Sequence, residues 1–357
     1  MNPIISLLSR TWRSATSPAS VAPGACASPV HVLDPEARIR LDDGLLVVER
    51  PEQKPIRLRL PEVSSVSVHG RAAVTTPSVH ALLAEGIPVI WRSQSGYYLG
   101  QTIDLSRRTA HVRRAQYAAQ ATPLALAISR KLIAGKIGNM RALLRRRAQD
   151  NAGIASASHD LSDAARRAEH AENLDVLRGI EGAASAAYFG CWPSLLKGEA
   201  AAMGFPGRQR RPPIGPVNAL LSYYYAVLAG HCSASAAGAG LDPAEGFLHV
   251  GRPGRPSLAL DLMEPFRPSV ADSAALFALN TSEVAAADFT AEENGTRLTV
   301  VGRKKALRAL ERRLDETFTD AGGHGTTYRA AIDRLAHSVA KAMLSDSVEQ
   351  LAVPERP

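Results

Sequence analysis

The pattern of hydrophobic and polar positions divides the chain near residue 104. From about residue 30 to residue 102, apolar and polar residues alternate with a period near two, which is typical of β-strands. In IRLDDGLLVVER, Asp43 and Gly44 separate two such runs and predict a hairpin turn. PIRLRL and VSSVSVHG predict further strands, and TPSVHALLAEGIPVIW predicts a short helix and a strand that ends at Trp91.

Beyond Asp104 the apolar positions recur at helical spacing. Residues 152–176 predict a loop and the start of a helix, and the alanine-rich stretch after GIEG (179–182) predicts a helix that begins near Glu181. Asn294-Gly295 predicts a turn that leads into a short strand and a charged helix, followed by an amphipathic helix in YRAAIDRLAHSVAKAML.

These elements predict an α+β protein of two domains, with a small N-terminal β-rich domain and a larger, mainly α-helical C-terminal domain. We expect a disordered lead-in over 1–28, a β-rich scaffold or dimerisation domain over 29–105, the helical domain over 106–348 and a frayed tail over 349–357. The lead-in is rich in Ser, Ala and Pro and has no acids, so a transit-like peptide is the alternative.

Composition adds a basic character. Lys and Arg number 42 against 34 Asp and Glu, which gives a net charge of +8. This excess fits scattered solvated charge, or a polyanionic partner such as nucleic acid. A basic stretch in the first long helical segment has two interpretations of the same kind, a solvated helix face or a face that follows a phosphate backbone. It contains Lys131, Lys136, Arg141, Arg145, Arg146 and Arg147.

No apolar run reaches the roughly 18 residues of a membrane span, so a soluble protein without a membrane partner is expected. The three cysteines show no zinc-binding spacing, and free thiols in a reducing cytosol predict a cytoplasmic location.

Candidate chemistry lies in three apolar segments. Glu181 follows an Ile in an alanine-rich helix, His249 lies in GFLHV, and Asp261 lies in SLALDLMEPF with Glu264 three residues later. Each residue alone is more simply a satisfied core or surface group, and for Glu181 the alternative is a side chain that only complements a helix dipole. Together they predict a site, because buried carboxylates are costly unless paired or bound to a cation. Two carboxylates and one imidazole suit Mg²⁺ or Mn²⁺ and leave positions open for phosphate oxygens.

Two arginine-bearing loops accompany these segments. GFPGRQRRPPIGPVN contains Arg210 and Arg211, and GRPGRPS contains Arg252 and Arg255. Prolines stiffen both loops, so the arginines are candidates for binding a phosphate backbone, with ordinary surface arginines as the alternative. Tyr188 and Asn218 are candidates for phosphate contact or, equally, for packing and capping.

Three segments resemble one family. They are GIEGAASAAYF from Gly179, RRPPIGPVNALLS from Arg210, and GLDPAEGFLHVGRPGRPSLALDLMEPFRP from Gly240. They are similar to the CRISPR-associated adaptation endonuclease and integrase family, Cas1, over roughly residues 30–345. Gly215 and Tyr224 depart from the family pattern but are not among the proposed ligands.

The resemblance implies a homodimer that joins a small Cas2 subunit. It also implies that the helical domain is a metal-dependent catalytic domain, which inserts foreign DNA fragments into a CRISPR array by 3′-hydroxyl attack on a phosphodiester. The family's metal ligands fall on Glu181, His249 and Asp261, and Glu264 would bind the metal through water or orient Arg267.

Two other functions stay open at this point. One is a DNA-binding scaffold that keeps the fold without the chemistry. The other is a metal-dependent hydrolase of a small phosphorylated molecule, whose turnover should ignore ionic strength, whereas a DNA enzyme should weaken steeply with salt.

Overall fold

The computed structural model describes residues 27–102, 110–147, 151–210, 212–293, 295–319, 323 and 325–354. Nearly all of the predicted lead-in lies outside these residues, as do Arg211 and Asn294. The chain forms two compact units, with the division between residues 106 and 107.

The first unit contains two four-stranded sheets and one helix. Its elements are β1 (Ser28–Val32), β2 (Arg38–Asp42), β3 (Leu45–Arg50), β4 (Gln53–Arg59), β5 (Val63–His69), β6 (Ala73–Val74), α1 (Thr76–Ala84), β7 (Val89–Arg92) and β8 (Tyr98–Gln101). One sheet has the order β1-β5-β7-β8, with β8 antiparallel to β7 and the other pairs parallel. The other has the order β4-β3-β2-β6. Alternate apolar residues of the strands, among them Val30, Ile39, Leu46 and Val66, form a shared core with Leu82 of α1.

The hairpin between β2 and β3 has the turn that its sequence predicts. Asp43 and Gly44 have φ angles of 49° and 75°, and both values lie in the left-handed region. A two-residue turn with two positive φ angles matches the right-handed twist of the flanking strands, and Asp-Gly tolerates it well. This turn sets the register that pairs Leu41 with Leu46 and Asp42 with Leu45.

The second unit is mainly helical, with two short hairpins. Its elements are α2 (Ala110–Ala119), α3 (Pro123–Arg147), α4 (Ala152–Glu169), α5 (Leu174–Gly190), α6 (Trp192–Leu195), α7 (Gly198–Ala202), α8 (Pro216–Gly238), α9 (Ser257–Met263), a π-helical turn (Arg267–Asp272), α10 (Ser273–Asn280), β9 (Phe289–Glu292), β10 (Gly295–Leu298), α11 (Val300–Asp315), β11 (Thr317–Thr319), β12 (Gly325–Thr327) and α12 (Tyr328–Ser345). The predicted α+β fold class, with a β-rich N-terminal part and a helical C-terminal part, is confirmed.

Two helix groups build this unit around its candidate site. Helix α3 packs against α4 and α5, while α8 packs against α9, α12 and the π-helical turn. Helix α8 is apolar and buried over most of its surface, as expected of a helix inside a domain. The π-helical turn also contacts α3, so it links the two groups.

Two predicted helix starts are wrong. Helix α4 occupies 152–169, where a loop was expected to precede the helix, because the Asn151 side chain caps its first turn. Helix α5 begins at Leu174, where the Asn173 side chain accepts hydrogen bonds from the backbone N–H groups of Asp175 and Val176. Glu181 therefore lies two turns inside α5, too far from its N-terminus to complement the helix dipole.

Residues 352–354, the last that the structure describes, are packed against the helical unit, whereas we expected a frayed tail over 349–357. Pro354 is buried, and its carbonyl accepts a hydrogen bond of 2.8 Å from the Asn139 amide on α3. The backbone N–H of Ala352 donates to Ser338 Oγ on α12. Residues 352–354 therefore belong to the packed helical unit.

Among the helices of the described residues, none is long and apolar enough to cross a membrane.

Candidate metal centre

Two glutamates from different helices meet at one lysine. Glu181 on α5 and Glu264, the residue that ends α9, both contact the ammonium of Lys136 on α3. The Lys136 Nζ lies 2.7 Å from Glu264 Oε2, and it also donates to Glu181 Oε1. Glu264 and Lys136 are buried, while Glu181 is partly exposed. The two carboxylates, 83 residues apart in sequence, thus lie on either side of a single cation.

Each glutamate has a further partner of its own. Ser185, one turn after Glu181 on α5, donates to Glu181 Oε1 at 2.8 Å. Arg267, in the π-helical turn, places a guanidinium nitrogen 3.1 Å from Glu264 Oε1. The positions of both carboxylates are therefore set by four helical elements, which are α3, α5, α9 and the π-helical turn.

His249 is held by Asp261. The imidazole Nδ1 lies 2.6 Å from Asp261 Oδ1, and the other ring nitrogen, Nε2, lies 3.8 Å from Glu264 Oε1. The imidazole therefore turns one nitrogen to Asp261 and the other toward Glu264.

The carboxylate of Asp261 is also occupied by the backbone. It accepts hydrogen bonds from the N–H groups of Phe247 and Leu248 through Oδ2, and from that of His249 through Oδ1. Asp261 itself is fully buried. These contacts fix the backbone of residues 247–249, which we call the histidine segment. Asp261 therefore sets the position of the His249 imidazole.

Gly246 makes this close approach possible. A Cβ atom at this position would lie 2.7 Å from Asp261 Oδ2 and 2.8 Å from the carbonyl oxygen of His249. Only a residue without a side chain leaves room for the chain to wrap around the carboxylate. In the GFLH sequence, packing around Asp261 thus explains the glycine, while the histidine is the candidate for chemistry.

The positive charges keep both glutamates ionised. Burial alone would raise the pKa of Glu264, but the Arg267 and Lys136 cations, helped by the nearby imidazole, lower it to about 2. Burial likewise opposes ionisation of Glu181, yet the Lys136 ammonium leaves the pKa of this carboxyl below its ordinary value. Both side chains are therefore anionic near neutral pH and suited to bind a cation.

A buried tyrosine–aspartate group lies beyond Arg267. The Arg267 guanidinium lies 4.8 Å from the ring centre of Tyr225, and the Tyr225 hydroxyl donates to Asp272 Oδ1 at 2.7 Å. Tyr188 donates to the other oxygen, Asp272 Oδ2, at 3.0 Å. Burial raises the pKa of Asp272 to about 6, even though both hydroxyls favour its charged form. Tyr188 is fully buried in this group, which supports packing over the phosphate contact considered above.

Asn218 has a structural role. Its Oδ1 accepts from the backbone N–H of Gln209 and from Arg208, and its Nδ2 donates to the carbonyls of Gly207 and Ile214. The side chain is buried and holds both ends of the loop before α8. Of the two roles considered for Asn218, loop capping is the one that these contacts support.

The candidate DNA-contact arginines differ in exposure. Arg210 and Arg252 are exposed, Arg255 is partly buried, and Arg211 lies outside the described residues. Arg208 in the same loop turns inward to Asn218 and Ser222.

The structure thus joins Glu181 and Glu264 through Lys136, brings His249 Nε2 to 3.8 Å from Glu264, and places Asp261 at the other nitrogen of the histidine. Sequence reasoning gave Lys136 no role at the site, although a signal was present. Leu132, Lys136 and Met140 are spaced by four residues, which puts the lysine on the buried face of α3. As a result Lys136 is not part of an exposed basic stripe, while Lys131 and Arg145 on the same helix are exposed.

Comparison with known proteins decides the family. The model of the CRISPR associated protein Cas1 family matches residues 30–312. The chain belongs to the Cas1 family. The resemblance found in the sequence motifs is thereby confirmed.

Among Cas1 relatives, an endonuclease Cas1 of Thermus thermophilus is 38% identical over 322 residues, which cover 89% of this chain and 94% of the relative. A Cas4 exonuclease/Cas1 endonuclease fusion of Geobacter sulfurreducens is 40% identical over 299 residues, or 82% of this chain. The chain spans 54% of the length of this fusion protein. A solved Cas6-RT-Cas1–Cas2 complex contains a chain of the same fold, with a TM-score of 0.78, 23% identity and coverage of 96% of this chain and 37% of that one.

Proposed function

We propose that this Cas1 protein is a metal-dependent DNA endonuclease and strand-transfer integrase of CRISPR adaptation, which inserts DNA fragments as new spacers into a CRISPR array. The observation that carries the proposal is that Glu181 and Glu264, from different helices, contact one lysine ammonium, while His249 Nε2 lies 3.8 Å from Glu264. The curated relatives named as Cas1 endonucleases support the same activity.

The donor set fits a divalent ion. Two carboxylates and one imidazole nitrogen are ligands that Mg²⁺ and Mn²⁺ accept, and the histidine shifts the preference toward Mn²⁺. The second imidazole nitrogen contacts Asp261, and metal-binding histidines commonly donate this other N–H to a carboxylate. An ion bound here would polarise a scissile phosphate and stabilise charge on the leaving 3′ oxygen.

We propose Glu181, His249 and Glu264 as the metal ligands, in place of the set with Asp261. The two oxygens of Asp261 already accept three backbone N–H groups and contact the imidazole, so both are occupied by the histidine segment, residues 247–249. Glu264 contacts the same ammonium as Glu181, so its carboxylate lies where a shared cation binds. Asp261 then has the role of orienting His249.

The reaction needs no covalent enzyme intermediate. The 3′-hydroxyl of the incoming fragment forms the new O–P bond, the bond to the 3′ oxygen of the target strand breaks, and the proton of the attacking hydroxyl is passed to solvent while the leaving oxygen gains one. Water takes the place of the hydroxyl in hydrolysis. The protein positions the phosphate, for which the exposed Arg210 and Arg252 are proposed together with Arg211 and Arg255.

Partners follow from the same assignment. We propose a homodimer that acts with a Cas2 subunit on DNA fragments with 3′-hydroxyl ends. The solved complex of similar fold contains a Cas2 chain, and the net charge of +8 favours a polyanionic substrate.

A strand-transfer assay tests this function. A fragment with 3′-hydroxyl ends and a supercoiled array plasmid are incubated with the protein and Cas2, with Mn²⁺ or Mg²⁺ and with chelator. We expect integrated product only with metal, and loss of product in Glu181→Gln and Glu264→Gln. Product in chelator would overturn the metal proposal, and unchanged integration by both variants would favour a DNA-binding scaffold without chemistry.

The dependence of affinity on salt concentration distinguishes a DNA substrate from a small phosphorylated substrate. A DNA enzyme should lose affinity about as a power of the salt concentration, because each neutralised phosphate releases counterions. Replacement of Arg210 or Arg252 by Ala should lower the slope of log affinity against log salt by about 1 each. Hydrolysis of a small phosphorylated compound at a rate that ignores salt would contradict the proposal.

A further inference from the structure

Lys136 is a cation on the buried face of α3. It is 2% exposed and lies one helical turn from Leu132 and from Met140, which are both buried. A buried ammonium is costly unless it is paired. Since Lys131 and Arg145 of the same helix reach solvent, the burial of Lys136 reflects its place opposite the two glutamates.

The lysine shares its charge between both carboxylates. Glu181 has Ser185 as a separate neutral partner, and Glu264 has Arg267 as a separate cation, but both contact the Lys136 Nζ. Two carboxylates face two cations, so these four side chains are balanced without any added ion.

Helix α3 is anchored by contacts on either side of Lys136 in the sequence. A Cβ atom at Gly135 would lie 2.3 Å from Val353, so the tail packs directly on the backbone beside Lys136. Asn139 donates at 2.9 Å to the carbonyl of Pro265, the residue that follows Glu264. These two contacts tie α3, close to Lys136, to the C-terminal segment and to the residue after Glu264.

We propose that Lys136 is an internal counter-cation of the metal site. It holds Glu181 and Glu264 together in the metal-free protein and lowers the affinity for a divalent ion by competing for the same carboxylate oxygens. This inference rests on the proposed metal site.

The charge balance explains the direction of the effect. A divalent ion added to four balanced side chains leaves an excess of two positive charges until a phosphate enters. The ammonium and the ion repel each other at close range, where the interaction of even screened charges is substantial. Lys136 therefore makes metal binding weak in the free protein and favours the state in which phosphate is also bound.

Mn²⁺ titration of the full chain, followed by the EPR signal of the free ion, tests the proposal. We expect Lys136→Met to bind Mn²⁺ at least about tenfold more tightly than the parent protein. Lys136→Gln, which keeps a polar group able to donate to one glutamate, should also bind more tightly and covers the case that the methionine variant does not fold. Lys136→Arg keeps the charge and should show no such gain.

Thermal unfolding gives an independent readout. In EDTA, Lys136→Met and Lys136→Gln should melt at a lower temperature than the parent, because two carboxylates then face each other without their shared cation. Mn²⁺ should raise their melting temperature by more than it raises that of the parent. Lys305→Met is the matched control, since it removes a lysine from an ion pair of 2.8 Å with Asp288 on a different helix, and its Mn²⁺ affinity should equal that of the parent.

The outcomes separate this proposal from the proposed function. Loss of Mn²⁺ binding in Glu181→Gln and Glu264→Gln, together with unchanged or weaker binding in the neutral Lys136 variants, would overturn the role of Lys136 and leave the metal site intact. Mn²⁺ binding that survives both glutamine variants would overturn the metal site, and the role of Lys136 with it.

Discussion

His249 and Asp261 form a contact of 2.6 Å between Nδ1 and Oδ1, and this contact turns the free nitrogen of the imidazole toward Glu264. The same carboxylate holds three backbone N–H groups of the segment that carries the histidine. The relationship assigns different roles to two acids only three residues apart. Asp261 orients the His249 imidazole, and Glu264 is a proposed metal ligand.

The first prediction separates these roles. Asp261→Asn should weaken Mn²⁺ binding by about 10- to 100-fold, as is typical when a carboxylate that orients a metal-bound histidine is lost. It should also lower the melting temperature in EDTA, because one amide oxygen cannot replace two carboxylate oxygens. Isothermal titration calorimetry and thermal unfolding measure the two effects.

Asp163→Asn is the control for this substitution. Asp163 forms an exposed ion pair with Arg166 on α4, so its loss should change neither quantity. An Asp261→Asn protein that melts and binds like this control would show that the backbone contacts to Asp261 have no part in organising the site.

A second prediction concerns the backbone at Gly246. Gly246→Ala should destabilise the fold by about 2 kcal/mol or more, because the added methyl group would meet Asp261 and the backbone at distances below 3 Å. Gly179→Ala is the matched control, since a Cβ there meets nothing within 4 Å inside a helix, and it should stabilise the protein by about 0.5–1 kcal/mol. Urea denaturation measures both. Equal effects of the two alanines would contradict the close packing around Asp261.

The third prediction concerns the C-terminal segment. The Asn139 amide donates to Pro265 at 2.9 Å and to Pro354 at 2.8 Å, and thereby joins this segment to the residue after Glu264. Asn139→Ala should cost about 1–3 kcal/mol of unfolding free energy, because the buried carbonyls of Pro265 and Pro354 each lose a donor, although Pro265 also accepts from Ser269 Oγ. Deletion of residues 352–357 should destabilise the protein as well. The two changes combined should lower the unfolding free energy by less than the sum of their separate effects, since both remove the same contact. Strict additivity in urea denaturation would contradict the link.

The fourth prediction follows from the pKa of Asp272, which burial raises from 3.8 to about 6. The charges and hydroxyls that face it are Tyr188 on α5, Tyr225 on α8, and the guanidinium groups of Arg208 and Arg267. Between about pH 4 and 6 the folded protein holds a proton that the unfolded chain has released. The contribution of Asp272 to stability is therefore most favourable below about pH 4 and falls as the pH rises through 6.

Asp272→Asn removes this dependence. The difference in unfolding free energy between parent and variant should shift against the parent by roughly 2 kcal/mol from pH 4 to pH 7, which is most of the energy equivalent of the pKa change. Urea denaturation over this range is the measurement. A difference that stays constant with pH would mean that Asp272 does not titrate in this interval.

The sequence predicted local structure best where one or two residues decide it. The Asp43–Gly44 turn follows from their tolerance of positive φ, and the helix after Thr75 and the strand near Trp91 follow from periodicity. The alanine-rich stretch after GIEG predicts the start of α5 too late, because the residue that caps this helix is Asn173, farther upstream.

The candidate site could be predicted only in part. Spacing places Asp261 and Glu264 on one side of a helix, but it cannot decide which one receives the backbone N–H groups of residues 247–249. That choice is a tertiary contact across 12 to 14 residues. The position of Lys136 depends on pairing with acids 45 and 128 residues away, which helix periodicity can only hint at.

Anomalous diffraction at the manganese edge from crystals grown with Mn²⁺ would locate the bound ion. We expect one strong peak within roughly 2.0–2.3 Å of a Glu181 oxygen, a Glu264 oxygen and His249 Nε2, with Asp261 still hydrogen-bonded to Nδ1. A peak bound directly by Asp261, or one that lies away from Glu264, would contradict it.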